Sequence, residues 1–278
     1  MKSRQPYGSI FSVVKRKGLF PVASQVLTFI KHALAEANSI SIEHVKIHLK
    51  RLPKDFDRFK IVHLSDLHHS PFTKIDYIEK VIDISNQLRP DMFILTGDYV
   101  SHEVEYITPL AKALSHLKAH YGTYACLGNH DHWTDAELIT KELQKSGIKL
   151  LINEGFYFSL NDSRIWLCGV DDYMVGKAHL KAALKGSKEE DFKLLLSHNP
   201  QILRFAAYHG VDLMLSGHTH GGQIRLKTER KLLPRRLKSG LYRYRETQVY
   251  ITRGIGTVVV PMRYQCPPEI SLLELCSA

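Results

Sequence analysis

Five short apolar runs in this chain each end in residues able to hold a metal or move a proton. Phe59–Leu64 leads into Ser65-Asp66-Leu67-His68, Asp91–Thr96 into Gly97-Asp98, and Thr123–Leu127 into Gly128-Asn129-His130-Asp131-His132. Phe192–Leu196 leads into Ser197-His198-Asn199, and Val211–Leu215 into Ser216-Gly217-His218-Thr219-His220-Gly221-Gly222. Carboxylate, amide and imidazole without thiolate suit borderline-hard divalent ions such as Mn²⁺, Fe²⁺ or Zn²⁺. Two such ions about 3.5–4 Å apart repel unless an anion bridges them, and one carboxylate can do so. Held together they would acidify a water and clamp phosphoryl oxygens. Taken singly the motifs are weak, since Asp-x-His after a strand is more often a turn. GHTHGG is specific, because its glycines make room for two histidines that would otherwise crowd the backbone.

Helical patterns separate these runs, near Ile75–Leu88, Tyr106–Ala119, Asp135–Ser146 and Pro200–His209. Strands alternating with helices predict an α/β fold with buried, largely parallel strands. The carboxyl ends of parallel strands share one edge, where ligand sites form. The five runs therefore deliver Asp66, His68, Asp98, Asn129, His130, His198, His218 and His220 to a common rim. An edge or half-buried strand over Ser41–Leu49, closed by Pro53, and further strands near Tyr157–Leu160, Ile165–Val170, Gln248–Thr252 and Ile270–Leu275 are too many for one sheet. The prediction is two mixed β-sheets packed face to face with flanking helices. Residues 40–278 read as one catalytic domain, and residues 1–39 as a basic amphipathic segment before it.

The series resembles the calcineurin-like metallophosphoesterases, whose pattern is D-x-H, G-D, G-N-H-[D/E], H, G-H-x-H. The match runs from Asp66 to Gln223 with no ligand missing. The resemblance implies a hydrolase of phosphate esters or anhydrides and a four-layer sandwich. It also implies that Asp66, His68 and His220 hold one metal, that Asn129, His198 and His218 hold a second, and that Asp98 bridges them. Among the ions, Mn²⁺ is the first expectation. His130 would stand beside the pair, stabilising the pentacoordinate phosphorus or protonating the leaving oxygen. One departure matters. Tyr99-Val100 follows Gly97-Asp98 where phosphoprotein phosphatases carry an Asp-Arg-Gly element. That argues against protein phosphatase activity and removes the Asp that orients the catalytic imidazole in those enzymes. A non-catalytic scaffold on the same fold would show eroded ligands or a replaced His130, and neither is seen. Of the spare histidines, His63 reads as a core residue or one supporting the ligands from behind, and His69 and His132 as rim residues.

Composition fits a soluble globular chain: 44% hydrophobic and 24% charged residues over 278. Four cysteines without a CxxC pair read as small buried hydrophobes in a reducing compartment. The net charge of +10 is uneven. Residues 1–60 hold twelve Lys/Arg against four Asp/Glu, and residues 225–245 nine against one. Two basic patches beside an acidic catalytic body point to an anionic surface or substrate. No nucleic-acid recognition motif is present, and no obligate protein partner is implied.

No uninterrupted apolar stretch reaches eighteen residues, so a transmembrane helix is not expected. After Lys15-Arg16-Lys17, apolar residues from Leu19 to Leu34 keep near-helical spacing, the pattern of a helix lying on an anionic bilayer or packed on the protein's own core. The C-terminal motifs around Gly240, Thr252-Arg253-Gly254 and Pro261-Met262-Arg263 resemble the bacterial branch of membrane-associated phosphodiesterases that includes the chlamydial-type UDP-2,3-diacylglucosamine hydrolase of lipid A biosynthesis. That resemblance implies a lipid-linked nucleotide diphosphate at the cytoplasmic face of the inner membrane, with Arg225, Arg253 and Arg263 as candidates for its phosphates. A phosphodiesterase acting on another phospholipid or a soluble nucleotide is the alternative.

Overall fold

Both faces of the central strands are buried, which is why the chain reads there as unbroken apolar runs. The structure, a computed structural model, describes residues 19–225 and 237–278, with helix side chains from Ser24 onward. Lys15–Lys17 and the rest of residues 1–18, with the basic stretch 226–236, lie outside the described residues.

Strands β1 (Ser41–Leu49), β2 (Lys60–Leu64), β3 (Met92–Thr96), β4 (Thr123–Cys126) and β5 (Ile148–Leu150) belong to one sheet. Strands β6 (Glu154–Leu160), β7 (Ser163–Gly169), β8 (Lys193–Leu196), β9 (Leu213–Ser216), β10 (Gly240–Tyr244) and β11 (Thr247–Ile251) form the other. The last strand, β12 (Glu269–Ser277), returns to the first sheet, giving six strands in each, ordered β1-β12-β2-β3-β4-β5 and β10-β11-β9-β8-β7-β6. Strands β2 to β5 run parallel, as do β7, β8, β9 and β11. Antiparallel pairings at β2–β12, β6–β7 and β10–β11 make both sheets mixed. This is the predicted sandwich.

The helices are α1 (Leu19–Glu36), α2 (Ile75–Gln87), α3 (Ile107–Leu114), α4 (Asn129–Thr134), α5 (Ala136–Lys145), α6 (Leu180–Ala183) and α7 (Leu203–Tyr208). The pleat sorts each strand's residues between two layers. Ile61 and Ile94 turn inward against Leu194, Leu196, Leu213 and Leu215 of the facing sheet. Val62, Leu64, Phe93 and Leu95 turn outward under the apolar faces of α2, α3 and α5. On the other side, Leu195, Met214, Val249 and Ile251 pack beneath α6 and α7. Because the core fills three interlayer spaces, the strand ends cannot shift relative to one another without opening it.

Several elements depart from expectation. The segment Pro200–His209 begins as a 3₁₀ turn, with Asn199 Oδ1 accepting the Gln201 N–H at 2.9 Å, before α7 proper. The helix expected to Ala119 stops at Leu114. Strand β5 and the six-residue α4 are too short to leave a period in the sequence, and β10, whose residues alternate between half-buried and exposed, carries no apolar run. Among the described residues no helix is long and apolar enough to cross a membrane.

Candidate dinuclear metal site

The site residues sit on tight turns directly after their strands, and those turns are strained. Asp66 (φ 52°), His68 (48°), Asp98 (56°), His218 (68°) and His220 (48°) all occupy the left-handed region. Each such residue costs on the order of 1–3 kcal/mol, so the surrounding structure must hold it. Main-chain hydrogen bonds do so. Asp66 N–H donates to Gly97 O (3.0 Å), His68 N–H to Asp98 O (3.1 Å) and Gly217 N–H to His198 O (3.0 Å). Glycine is required where loops touch. A Cβ on Gly217 would strike Ser65 Oγ and Asp66 Oδ2, and one on Gly128 would strike Asp98 Oδ1.

The two sheets meet here. Asp66 and His68 follow β2, Asp98 follows β3 and Asn129 opens α4; His198 follows β8, and His218 and His220 follow β9. Across the seam, Asp66 Oδ1 lies 3.2 Å from His220 Nε2, and Asp98 Oδ2 lies 3.1 Å from His198 Nε2. His68 Nε2 is 3.5 Å from Asp98 Oδ2 and 3.2 Å from His220 Nε2. His218 Nδ1 is 3.2 Å from His198 Nε2. Asp66, His68 and His220 thus form one cluster, and Asp98, His198 and His218 another, each with ligand atoms within 4.8 Å of one another. His130 forms a similar group with His68 and Asp98 between them.

These residues fit a pair of cations. Asn129 is 2% exposed and its Oδ1 has no hydrogen-bond partner, although a buried carbonyl oxygen of this kind is normally satisfied. The clustered donors are all nitrogen and oxygen, and no cysteine is among them. Electrostatics follow from burial and pairing. Burial pushes Asp66 up, yet the His220, His198 and His68 imidazoles hold it well below the usual carboxylate range. Burial drives His68 down to about 3. Burial also lowers His198, but the Asp98 carboxylate against it raises it to about 10. A proton on His198 is the counter-charge that a divalent ion would replace.

The missing orienting carboxylate has a main-chain substitute. His130 Nδ1 donates to Ser101 O at 2.9 Å, on the loop just after Asp98. His130 N–H in turn donates to Asp98 Oδ1 at 2.9 Å. Asp131, unassigned from sequence, stitches the β3 and β4 loops together. Its carboxylate accepts Gly128 N–H (2.8 Å), Asp98 N–H (2.9 Å) and Tyr99 N–H (2.8 Å).

Two of the three arginines expected at a phosphate lip are engaged elsewhere. Arg263 is fully buried, and its guanidinium donates to the main-chain oxygens of Arg253, Gly254, Gly256 and Cys266. Arg253 pairs with Glu43 at 2.6 Å and Glu269 at 3.2 Å. Arg225 stays beside the histidine turn, half-buried, with Nε donating to Gly221 O and a terminal nitrogen to Ser239 Oγ. His63 is a core residue, as read. His69 is buried instead of lying on the rim, its Nδ1 donating to Tyr106 O, whereas His132 is half-buried, its Nε2 meeting Asp171 Oδ1 at 2.5 Å. Asp171 and Asp172, which follow β7 onto the same rim, were missed, although an apolar run ending in two carboxylates repeats the signal of the other five.

The chain belongs to the calcineurin-like phosphoesterase family, whose model matches residues 59–222. Family and geometry together define a metal-dependent phosphoester hydrolase with a dinuclear divalent-metal site. It is 32% identical over 237 residues to YkuE of Bacillus subtilis, an uncharacterized metallophosphoesterase, covering 81% of this chain and 82% of that one. It is 33% identical over 225 residues to the phosphodiesterase YaeI of Escherichia coli, covering 78% of this chain and 82% of the relative. A zebrafish transmembrane protein with a metallophosphoesterase domain is 32% identical over 248 residues, which span 84% of this chain and 57% of its own length.

Proposed function

We propose that this chain is a phosphodiesterase that cleaves a phosphodiester or diphosphate bond at two divalent ions, with Mn²⁺ first among the candidates. The observation that carries the reading is the position of Asp98, whose Oδ2 lies between His68 Nε2 at 3.5 Å and His198 Nε2 at 3.1 Å. Only a carboxylate placed there can belong to both clusters. The bound ions would supply Lewis-acid charge to the phosphoryl oxygens and a nucleophile from water at neutral pH. The residues of the chain do the rest. Asp66, His68 and His220 hold one side of the site, and Asn129, His198 and His218 hold the other. His130 stands at the seam with its ring fixed through Nδ1, leaving Nε2 to exchange a proton with the leaving oxygen. Similarity to the E. coli phosphodiesterase supports diester chemistry.

Within that activity we place first a lipid-linked substrate, of which UDP-2,3-diacylglucosamine is the type, met at the cytoplasmic face of a bacterial inner membrane. The exposed apolar strip of α1 (Val26, Leu27, Ile30, Leu34) supports a lipid setting. With Arg253 and Arg263 engaged by carboxylates and main-chain oxygens, we place Arg225, beside the histidine turn, at the diphosphate. The test is hydrolysis of a panel comprising bis(p-nitrophenyl) phosphate, p-nitrophenyl phosphate, a phospholipid diester and the sugar-nucleotide lipid, with Mn²⁺ or Zn²⁺ and with or without detergent. Cleavage of diesters over the monoester supports the reading. Activity confined to soluble substrates and indifferent to detergent would remove the lipid part.

A further inference from the structure

The apolar arc of α1 is only half covered. At about 100° per residue, Phe29, Ala33 and Ala37 follow one another along the side that meets the body. Ala33 is fully buried, the Phe29 ring lies 4.8 Å from that of Tyr264, and Arg263 N–H donates to Ala33 O. Glu36, the only carboxylate of the helix, also faces inward and accepts the Gln265 and Cys266 N–H groups. Beside that line Val26, Ile30 and Leu34 run in steps of four, with Leu27 next to them, and all four are 37–54% exposed. Lys31 is exposed on the same helix.

A second apolar element joins at Tyr264. The turn from Val258 to Met262 precedes it, and Val259 at its tip is 89% exposed with φ 65°. A β-branched residue takes that conformation only at a cost, and solvent exposure gives nothing in return. The turn is nevertheless fixed. The Gln223 side-chain amide donates to Val258 O and Val260 O and accepts Val258 N–H. Gln223 ends the histidine turn, and Gly256 N–H donates to Asp66 O at 2.7 Å. The tip therefore hangs from the mouth of the metal site.

Charge completes the pattern. Residues 1–18 lead into α1 with five Lys/Arg and no acid. Residues 226–236 depart from Arg225, whose N–H donates to Tyr264 O, and carry five Lys/Arg against one Glu. We propose that the outward face of α1 and the Val258–Met262 turn form one docking surface for an anionic phospholipid bilayer, setting the metal-site mouth at headgroup level. Apolar side chains enter the interface while the flanking cations meet the headgroups. A second copy of the chain would instead bring like charges together. The surface deepens the lipid reading above and rests on it for its purpose, though docking itself needs no catalysis.

The test is flotation of the full chain with phosphatidylcholine vesicles, with and without phosphatidylglycerol, for the wild type, Val259→Asp and Ile30→Glu. The wild type should float with the anionic vesicles and far less with neutral ones. Each substitution should weaken partitioning by about tenfold or more, since it sets a carboxylate against anionic headgroups. Unchanged Tm and unchanged hydrolysis of bis(p-nitrophenyl) phosphate in vesicle-free buffer would show that fold and site are intact, so failure of the activity reading is scored separately from failure to dock. The proposal is overturned if the wild type does not float, or if both variants float as it does. It is likewise overturned if removing residues 1–18 improves flotation, which would make that segment the cover of the face.

Discussion

His130 Nδ1 lies 2.9 Å from the main-chain oxygen of Ser101. A carbonyl oxygen can only accept, so Nδ1 carries the proton and Nε2 is the nitrogen left to the site. A carboxylate in that place would fix the ring and add a negative charge; a peptide oxygen fixes the ring alone. The loop after Asp98 thus supplies by its path what the Asp-Arg-Gly element supplies by a side chain in phosphoprotein phosphatases.

His130→Ala should lower kcat by roughly 10²–10⁴ on a diester with a poor leaving group, the range for a lost general acid–base group. Both metal equivalents should stay, because the ring is not needed to complete either cluster. Ser101→Ala keeps the carbonyl and removes only the long 3.4 Å contact of the hydroxyl with His68 Nδ1, so it should stay within about threefold of the wild type. Single-turnover kinetics with metal analysis on the same samples separates the two. A large loss in Ser101→Ala would mean that its hydroxyl, 3.4 Å from His68 Nδ1, matters instead.

Asp98→Ala removes the carboxylate placed between both clusters. Metal content measured by mass spectrometry should fall to one equivalent or fewer, with turnover abolished. Two retained equivalents would show that the ions do not depend on a shared bridge.

How far the sequence carried this site depends on how locally each feature is encoded. The eight candidate residues that the structure brings to one rim were legible because strand ends announce themselves: an apolar run stops and a polar residue follows. Asp131 was not legible as a clamp, since the donors it accepts from are main-chain N–H groups of a different loop, those of Asp98 and Tyr99. Ser101 was invisible for the same reason, because a carbonyl has no residue type. Arginine misled in the opposite direction. Arg253 and Arg263 look like phosphate ligands by type, but Glu43 and Glu269 reach the first from 210 and 16 residues away, and four carbonyl oxygens surround the second. In the fold, β1 was found by its alternation, and β2 to β4 and the central strands of the second sheet by apolar runs. Three-residue β5 and six-residue α4 hold their shape through neighbours, and length alone hid them.

Arg263→Met should therefore act on stability and not on substrate affinity. It strands several buried carbonyl oxygens, each costing about 1–3 kcal/mol, so a loss of about 3 kcal/mol or more is expected in urea unfolding. KM for a soluble diester should not change among the molecules that remain folded. Arg225→Ala should do the reverse, raising KM with little change in urea midpoint. A rise in KM for Arg263→Met at unchanged stability would return that residue to the substrate.

His63 gives the fold an acid-sensitive element that is not itself one of the candidate metal ligands. It lies fully buried between the sheets, its Nε2 2.8 Å from Thr96 Oγ1 and its Nδ1 without a partner. Burial pushes its pKa from the ordinary 6.5 down to about 3. The folded chain therefore leaves His63 neutral across that window while the unfolded chain protonates it. The unfolded state binds more protons, so this contribution to stability is fully present above 6.5 and is lost as pH falls towards 3. Within the window each pH unit costs about 1.4 kcal/mol per such group. His63→Gln keeps an amide donor for Thr96 and cannot titrate, so its stability should fall less steeply. Urea midpoints would be compared between about pH 6 and 4 in the presence of chelator, so that metal release adds nothing to either slope. The wild type should lose about 1.4 kcal/mol more per pH unit than the variant. Equal slopes would mean that the folded chain admits a proton at His63.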